Sequence, residues 1–140
     1  MLLSTNKDKG RAGLLCGMSY YGTNGYTILL PVNDTQDYDF VIEKNNMFSK
    51  VQCKCTNYMP SGRESYQLNL RNSGGTNGAV YGRVVESSAD ILFALAGDGT
   101  MYSIPVVDLG NRNSISLRKE SNVSENKDIF HSENYIVTIK

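Results

Sequence analysis

Alternating apolar and polar residues mark two consecutive strands in the first half of the chain. The first strand, residues 38–43, has three apolar side chains on one face: Tyr38, Phe40 and Ile42. The second strand, residues 47–56, likewise has three on one face: Val51, Cys53 and Cys55. Asp39 then shares the opposite side with Gln52 and Lys54. A short link at residues 44–46 predicts a β-hairpin, which brings these polar groups onto a common face.

The rest of the chain predicts one helix and several further strands. Helical spacing of apolar residues indicates a helix over residues 7–22, although its glycines weaken it. Further strands are predicted over residues 26–30, 64–70, 89–96, 101–107, 115–117 and 135–139. Residues 72–78 are rich in Gly, Asn and Ser and predict a loop, and the polar residues 122–133 have no clear assignment. This order of elements predicts an α+β fold.

Length and composition indicate a small globular protein without a strong charge bias. A chain of 140 residues with 40% hydrophobic content predicts a single domain over residues 1–140. The formal net charge of zero counts against binding of nucleic acid through a global basic field. It leaves room for a local basic patch, because the 14 Lys and Arg residues could cluster on one side.

The cysteine count argues against disulfides and against a zinc site. Cys16, Cys53 and Cys55 are an odd number without framework spacing, which favours a reducing compartment. The single histidine, His131, leaves a closed zinc site short of ligands. No run approaches the ~20 apolar residues of a membrane span, and the start does not resemble a signal peptide. We therefore expect a cytoplasmic protein with no membrane association.

The predicted hairpin gathers a carboxylate, an amide oxygen and an ammonium group. Asp39 and Gln52 offer the oxygen ligands that Mg²⁺ prefers, and Lys54 offers a positive charge for a phosphate. Such a set can cut a phosphodiester. The alternative interpretation is a half-exposed hairpin with ordinary solvent-facing polar residues, since polar alternation is common in such strands.

Several motifs in order along the chain are similar to those of a known family. They are Lys9-Gly10, Gly25-Tyr26, Tyr38-Asp39-Phe40-Val41-Ile42, Val51-Gln52-Cys53-Lys54, Ala89-Asp90-Ile91-Leu92-Phe93-Ala94 and Met101-Tyr102-Ser103-Ile104-Pro105. Over residues 7–110 the chain resembles the small PD-(D/E)XK nucleases, in the branch with Gln in place of the second acid, which includes intron-encoded homing endonucleases. The resemblance implies a restriction-endonuclease-like core with a mixed β-sheet, an N-terminal helix and a C-terminal β-hairpin extension at residues 111–140.

The resemblance also implies roles for the hairpin residues. Asp39 would bind Mg²⁺ (or Mn²⁺), with Gln52 and the backbone carbonyl of Cys53 as further ligands. Lys54 would steady the attacking water or the pentacovalent phosphate. DNA would be the substrate, and double-strand cleavage would require a homodimer or homotetramer. Three basic residues are candidate phosphate contacts, although each could equally belong to a solvated face: Lys9, Arg11 and Lys50.

One departure from the family pattern leaves the activity open. The family usually carries a Glu in the first helix, where this chain has Leu14. A substitute acid could act, and the candidates are Asp8, Asp37 and Glu64. Otherwise the chain could be a catalytically degenerate module that binds DNA or assembles a complex, or an unrelated α+β protein. Asp90 is interpreted as a strand-end cap, with a supporting role near the core as the alternative.

Overall fold

One long helix packs against a six-stranded mixed β-sheet in the computed structural model, which describes residues 5–33, 35–73, 80–120 and 128–139. Helix α1 spans Asn6–Thr23. The strands are β1 (Thr27–Leu29), β2 (Phe40–Lys44), β3 (Met47–Thr56), β4 (Tyr66–Asn69), β5 (Arg71–Ser73), β6 (Val80–Arg83), β7 (Ile91–Ala96), β8 (Met101–Pro105), β9 (Ser114–Leu117) and β10 (Ile136–Val137). The large sheet has the order β1-β2-β3-β7-β8-β10. The predicted fold class is confirmed.

Helix α1 begins at a side-chain cap and lies close to β3. Thr5 is the N-cap, and its hydroxyl accepts the Asp8 N–H at 3.1 Å. Gly13 and Gly17 are buried where the helix meets the sheet, and a Cβ at Gly17 would lie 2.9 Å from Cys53 Sγ. The absence of a side chain there lets the helix approach β3.

The predicted hairpin forms between β2 and β3. Asn45 and Asn46 occupy its turn with φ values of 54° and 62°, the left-handed conformation of a tight two-residue hairpin turn. The strands pair antiparallel, with Phe40 opposite Val51. On its other side β3 pairs parallel with β7, and β7 continues into β8 through the turn at Gly99.

Each face of the sheet has its own core. The helix face is covered by α1, and its buried residues are Tyr21, Phe40, Ile42, Val51 and Phe93. The opposite face packs against the other elements, and its large buried residues include Leu68, Leu70, Leu92, Tyr102, Ile104, Leu109 and Ile115. Cys53 packs with the helix-face cluster, so Gln52 and Lys54 lie on the opposite face, as predicted. Tyr38 was assigned wrongly to the side of Phe40, because it precedes β2 and packs against the opposite-face cluster.

The later strands pair differently from the predicted arrangement. The predicted strand over residues 64–70 is β4, and β5 then occupies the start of the predicted loop, whose residues 74–78 lie outside the described residues. The predicted C-terminal β-hairpin is wrong for the described residues: β9 pairs with β4, and β10 pairs with β8. The backbone groups of β9 and β10 are thus paired with β4 and β8, which lie far from them in the sequence. Of the polar segment 122–133, residues 122–127 are not described.

Candidate active site

Asp39 lies immediately before β2, at the point where β3 loses its antiparallel neighbour. Its backbone N–H donates to the Val51 carbonyl at 2.8 Å, and its Oδ2 accepts the Cys53 N–H at 2.6 Å. The side chain thus takes the place of the next residue pair in the hairpin ladder. Because the N–H and C=O of one strand residue point to the same side, the Cys53 carbonyl leaves β3 at this edge too.

Lys54 brings a positive charge to the same place. Its Nζ donates to the Arg71 carbonyl at 3.4 Å, and its charge interacts with that of Asp39. Burial lowers the pKa of Lys54, and the Asp39 carboxylate opposes that shift. The side chain is half-buried on the opposite face of the sheet from α1. The Lys54 side chain therefore lies in a partly dehydrated setting, in which the Asp39 carboxylate favours its charged form.

The carboxylate of Asp39 experiences the reverse shift. Loss of hydration raises its pKa, although the Cys53 N–H and the Lys54 charge both pull it back down. The residue as a whole is exposed, so water still reaches the carboxylate from one side while β3 covers the other. An ionised Asp39 in this position gains from any further cation that approaches it.

Three oxygen groups on β3 and just before β2 are of the kinds that bind Mg²⁺. They are the Asp39 carboxylate, the Gln52 amide, whose oxygen is buried, and the Cys53 carbonyl. Mg²⁺ is often bound through one or two carboxylates, with waters and substrate phosphates completing its shell. Across the described ranges, no group of three or more His, Cys, Asp or Glu side chains could hold a metal. The donor set is therefore sparse but of the right chemistry.

The first helix adds no carboxylate from the expected position. Leu14 packs against the helix-face cluster, on the other side of the sheet from Lys54. Asp8 accepts the Thr5 hydroxyl at 2.7 Å within the helix cap. Asp37 accepts both the N–H and the hydroxyl of Ser88. Asp8 therefore serves the helix cap, and Asp37 links its segment to Ser88.

The third substitute acid and the other candidates also lie away from Asp39. Glu64 is exposed and lines a separate pocket with Asp98. Asp90 accepts the Lys50 N–H at 2.8 Å where β7 begins, which confirms the strand-end cap. His131 pairs with Glu133 at 2.9 Å, in the segment before β10.

The three candidate phosphate contacts take different positions. Lys9 is partly buried on α1, and its charge lowers the pKa of Cys55 against a larger effect of burial. Lys50 is exposed on β3, with its Nζ 5.7 Å from the centre of the Tyr38 ring. Arg11 is exposed on α1 and is not among the residues that line a cleft with Lys54. The structure therefore brings Lys9, but not Arg11, to the side of Lys54.

A cleft of about 820 Å³ opens beside Lys54, and sequence patterns did not reveal it. Its described lining residues are Asn6, Lys9, Gly10, Lys54, Cys55, Thr56, Tyr58, Gln67, Leu68, Asn69, Arg71, Asn113 and Ser114. We call it the Lys9–Arg71 cleft. It gathers residues from α1, β3, β4, β5 and β9, and such a long-range assembly leaves no local signal in the sequence.

Two comparisons place the chain among known proteins. A family model for the PD-(D/E)XK endonuclease matches residues 5–137. The fold is similar to a solved structure described as a bacterial homing endonuclease, I-Ssp6803I, with a TM-score of 0.70 and 19% sequence identity. That match covers 95% of this chain and 89% of the other. Among curated proteins no sequence match is found.

Within the described residues, no helix is long and apolar enough to cross a membrane. The family match covers nearly the whole chain, including Asp39 and the strand that carries Gln52 and Lys54. The chain belongs to the PD-(D/E)XK endonuclease family.

Proposed function

We propose that the protein is a divalent-metal-dependent endonuclease that hydrolyses phosphodiester bonds in DNA. The observation that supports the proposal is the bond of the Asp39 carboxylate to the Cys53 N–H, together with the electrostatic interaction of Asp39 with the Lys54 charge. Asp39, Gln52 and the Cys53 carbonyl would hold Mg²⁺ or Mn²⁺. When bound, the metal activates water and neutralises charge that develops on the phosphate.

The protein groups would divide the remaining work between them. The Cys53 N–H holds Asp39 Oδ2, which fixes the carboxylate and directs its other oxygen away from the strand. Lys54 would donate to the attacking water or to a phosphate oxygen, where its charge counts most in the transition state. The carbonyl of Arg71 positions the Lys54 Nζ for this task. No covalent enzyme intermediate is required.

Cleavage assays with matched variants test this proposal. Asp39→Asn keeps an oxygen for the Cys53 N–H but removes the charge, and Lys54→Met keeps most of the side-chain volume. We expect each to slow Mg²⁺-dependent plasmid cleavage by about 100-fold or more. Asp108→Asn and Lys119→Met are the controls, because these residues bond to Tyr135 and Asp98 instead. Equal cleavage by the wild type and both site variants would indicate a contaminating nuclease.

Within this class, a homing role is the best-supported choice, with resolvase-like or restriction-like roles as alternatives. Its support is the fold similarity to a bacterial homing endonuclease. Because this chain provides one such site, cleavage of both DNA strands calls for a homodimer or homotetramer.

A catalytically degenerate module for DNA binding or complex assembly is the second candidate. It is favoured by Leu14, which packs in the core where the family carries a carboxylate. Calorimetric titration with Mg²⁺ or Mn²⁺ in the presence of uncleaved DNA separates the two. The endonuclease should show metal binding that disappears in Asp39→Asn, whereas the module should show none in either protein.

A further inference from the structure

We propose that the Lys9–Arg71 cleft is a phosphate-binding subsite for the DNA backbone next to the scissile phosphate. The inference rests on the proposed binding of DNA, and it assigns a location and a ligand class to residues outside the Asp39 site. Lys9, Lys54 and Arg71 all line the cleft, and its described lining includes no Asp or Glu.

The concentration of charge is notable in a chain whose formal net charge is zero. Two acids lie near its borders: Asp39 interacts with Lys54, and Glu86 interacts with Arg71. Neither acid lines the cleft, so a ligand inside it meets the cations directly. A concave surface with one sign of charge focuses its field on ions of the other sign.

The neutral residues of the cleft are also of the types that bind phosphates. Asn69 Oδ1 accepts the Arg71 N–H at 2.9 Å, and Asn113 Oδ1 accepts from Arg83 at 3.5 Å. The oxygen of each amide accepts one of these bonds, and each amide also carries an NH₂ group, which is of the type that donates to a phosphate. Protein contacts to DNA phosphates come mostly from Arg, Lys, Asn, Gln, Ser, Thr and Tyr side chains and from helix N-termini.

The N-terminus of helix α1 also borders the cleft. Asn6 and Gly10 line the cleft, and the helix has 18 residues with its positive dipole end here. A Cβ at Gly10 would meet nothing within 4 Å, so the backbone borders open space. The volume of about 820 Å³ is large enough for a phosphate with part of its sugar.

The position of Lys54 links the subsite to the reaction. The charge of Lys54 interacts with that of Asp39. The Lys54 Nζ also donates to the carbonyl of Arg71, a residue that lines the cleft. A DNA strand with its scissile phosphate at Asp39 would therefore place a neighbouring phosphate between Lys9 and Arg71. The subsite would hold the strand in register without reading its bases.

A salt series of DNA-binding measurements in EDTA tests the subsite without cleavage. The proteins are the wild type, Lys9→Ala, Arg71→Ala and the double variant. Each single change should weaken binding about tenfold at low salt and lower the slope of log K against log salt by about 1. The double variant should lose about 2 from the slope. Lys7→Ala is the control, because Lys7 is exposed on the same helix turn and does not line the cleft.

The outcomes separate the subsite from the proposed function. If the wild type binds DNA but Lys9→Ala and Arg71→Ala behave like Lys7→Ala, the subsite is wrong while the endonuclease proposal stands. If the wild type binds no DNA, both proposals fall. Cleavage assays add a second criterion: Lys9→Ala should raise KM with kcat within about threefold of the wild type, because Asp39, Lys54 and the Arg71 carbonyl that holds Lys54 remain in place. A large fall in kcat at saturating DNA would overturn a purely positioning role. Circular dichroism melting confirms that each variant is folded.

Discussion

At the scale of single residues, the Cys53 N–H holds Asp39 just ahead of β2, and alternation places Gln52 and Lys54 on one face of β3. Alternation is a reliable guide inside β3, where every second residue faces the same side. It failed for Tyr38, because the chain ahead of Phe40 is not yet a strand. The bond between Asp39 Oδ2 and the Cys53 N–H depends on where β2 begins, and strand boundaries are set by tertiary packing.

The dehydrated setting of Asp39 predicts that the site reduces the stability of the fold. Because its pKa is raised in the folded state, protonated Asp39 stabilises the fold at low pH, and this contribution is lost as pH rises through the folded pKa. At neutral pH, Asp39→Asn should therefore raise the melting temperature, by about 1–3 °C since water still reaches the carboxylate. The gain should shrink as the pH approaches the pKa of Asp39. Scanning calorimetry at several pH values measures it.

Asp37 provides a control of opposite sign two residues away. Its bonds to Ser88 lower its pKa, so its stabilising contribution is present at neutral pH and is lost as pH falls through the folded pKa. Asp37→Asn should therefore lower the melting temperature at pH 7. A lower melting temperature for Asp39→Asn than for the wild type at pH 7 would show that ionised Asp39 does not destabilise the folded state.

At the scale of elements, the close approach of α1 to β3 positions the strand that carries Gln52 and Lys54. The glycines of the helix are visible in the sequence, but which of them touches the sheet depends on the rotation of the helix. The pairing of β4 with β9 and of β3 with β7 was also beyond local patterns. The alternation of apolar and polar residues in these strands would suit many other strands equally well, so it does not specify the partner.

Two glycine substitutions should have opposite effects on stability. A Cβ at Gly17 would lie 2.9 Å from Cys53 Sγ and 3.2 Å from Phe93 Cδ1, so Gly17→Ala forces α1 and β3 apart. We expect it to lower the free energy of unfolding by about 1–3 kcal/mol. Gly10→Ala meets no atom within 4 Å and should be neutral or stabilise by up to about 1 kcal/mol. Urea unfolding compares them, and equal stability of the two variants would contradict this packing.

At the scale of the whole molecule, one edge of the large sheet carries exposed apolar side chains. Among the described strands, β1 pairs with β2 alone, and nearby Leu30 and Val32 are 61% and 102% exposed. A strand edge flanked by apolar residues is a ready site for association. We propose that a second copy of the chain covers this edge, because cleavage of duplex DNA calls for two sites.

Sedimentation equilibrium tests this association. The wild type should have the mass of a dimer or a larger assembly, and Leu30→Glu should shift it toward the monomer. Val107→Glu is the control. Val107 is 84% exposed, but it follows β8, which lies near the opposite edge of the sheet from β1. A monomeric wild type would rule out self-association, and equal effects of the two substitutions would place the contact elsewhere.

The order of strands in the large sheet also has a consequence for how the chain folds. Phe40 and Val51 are joined by a short hairpin, whereas Gln52 pairs with Leu92, forty residues further on. Closing the longer loop costs about 1 kcal/mol more in chain entropy, since each doubling of loop length adds roughly 0.6 kcal/mol. A nascent chain that has only reached the end of β3 already contains the hairpin that joins Asp39 to Lys54. The parallel partner that covers the other side of β3 must wait for more than thirty further residues to be synthesised.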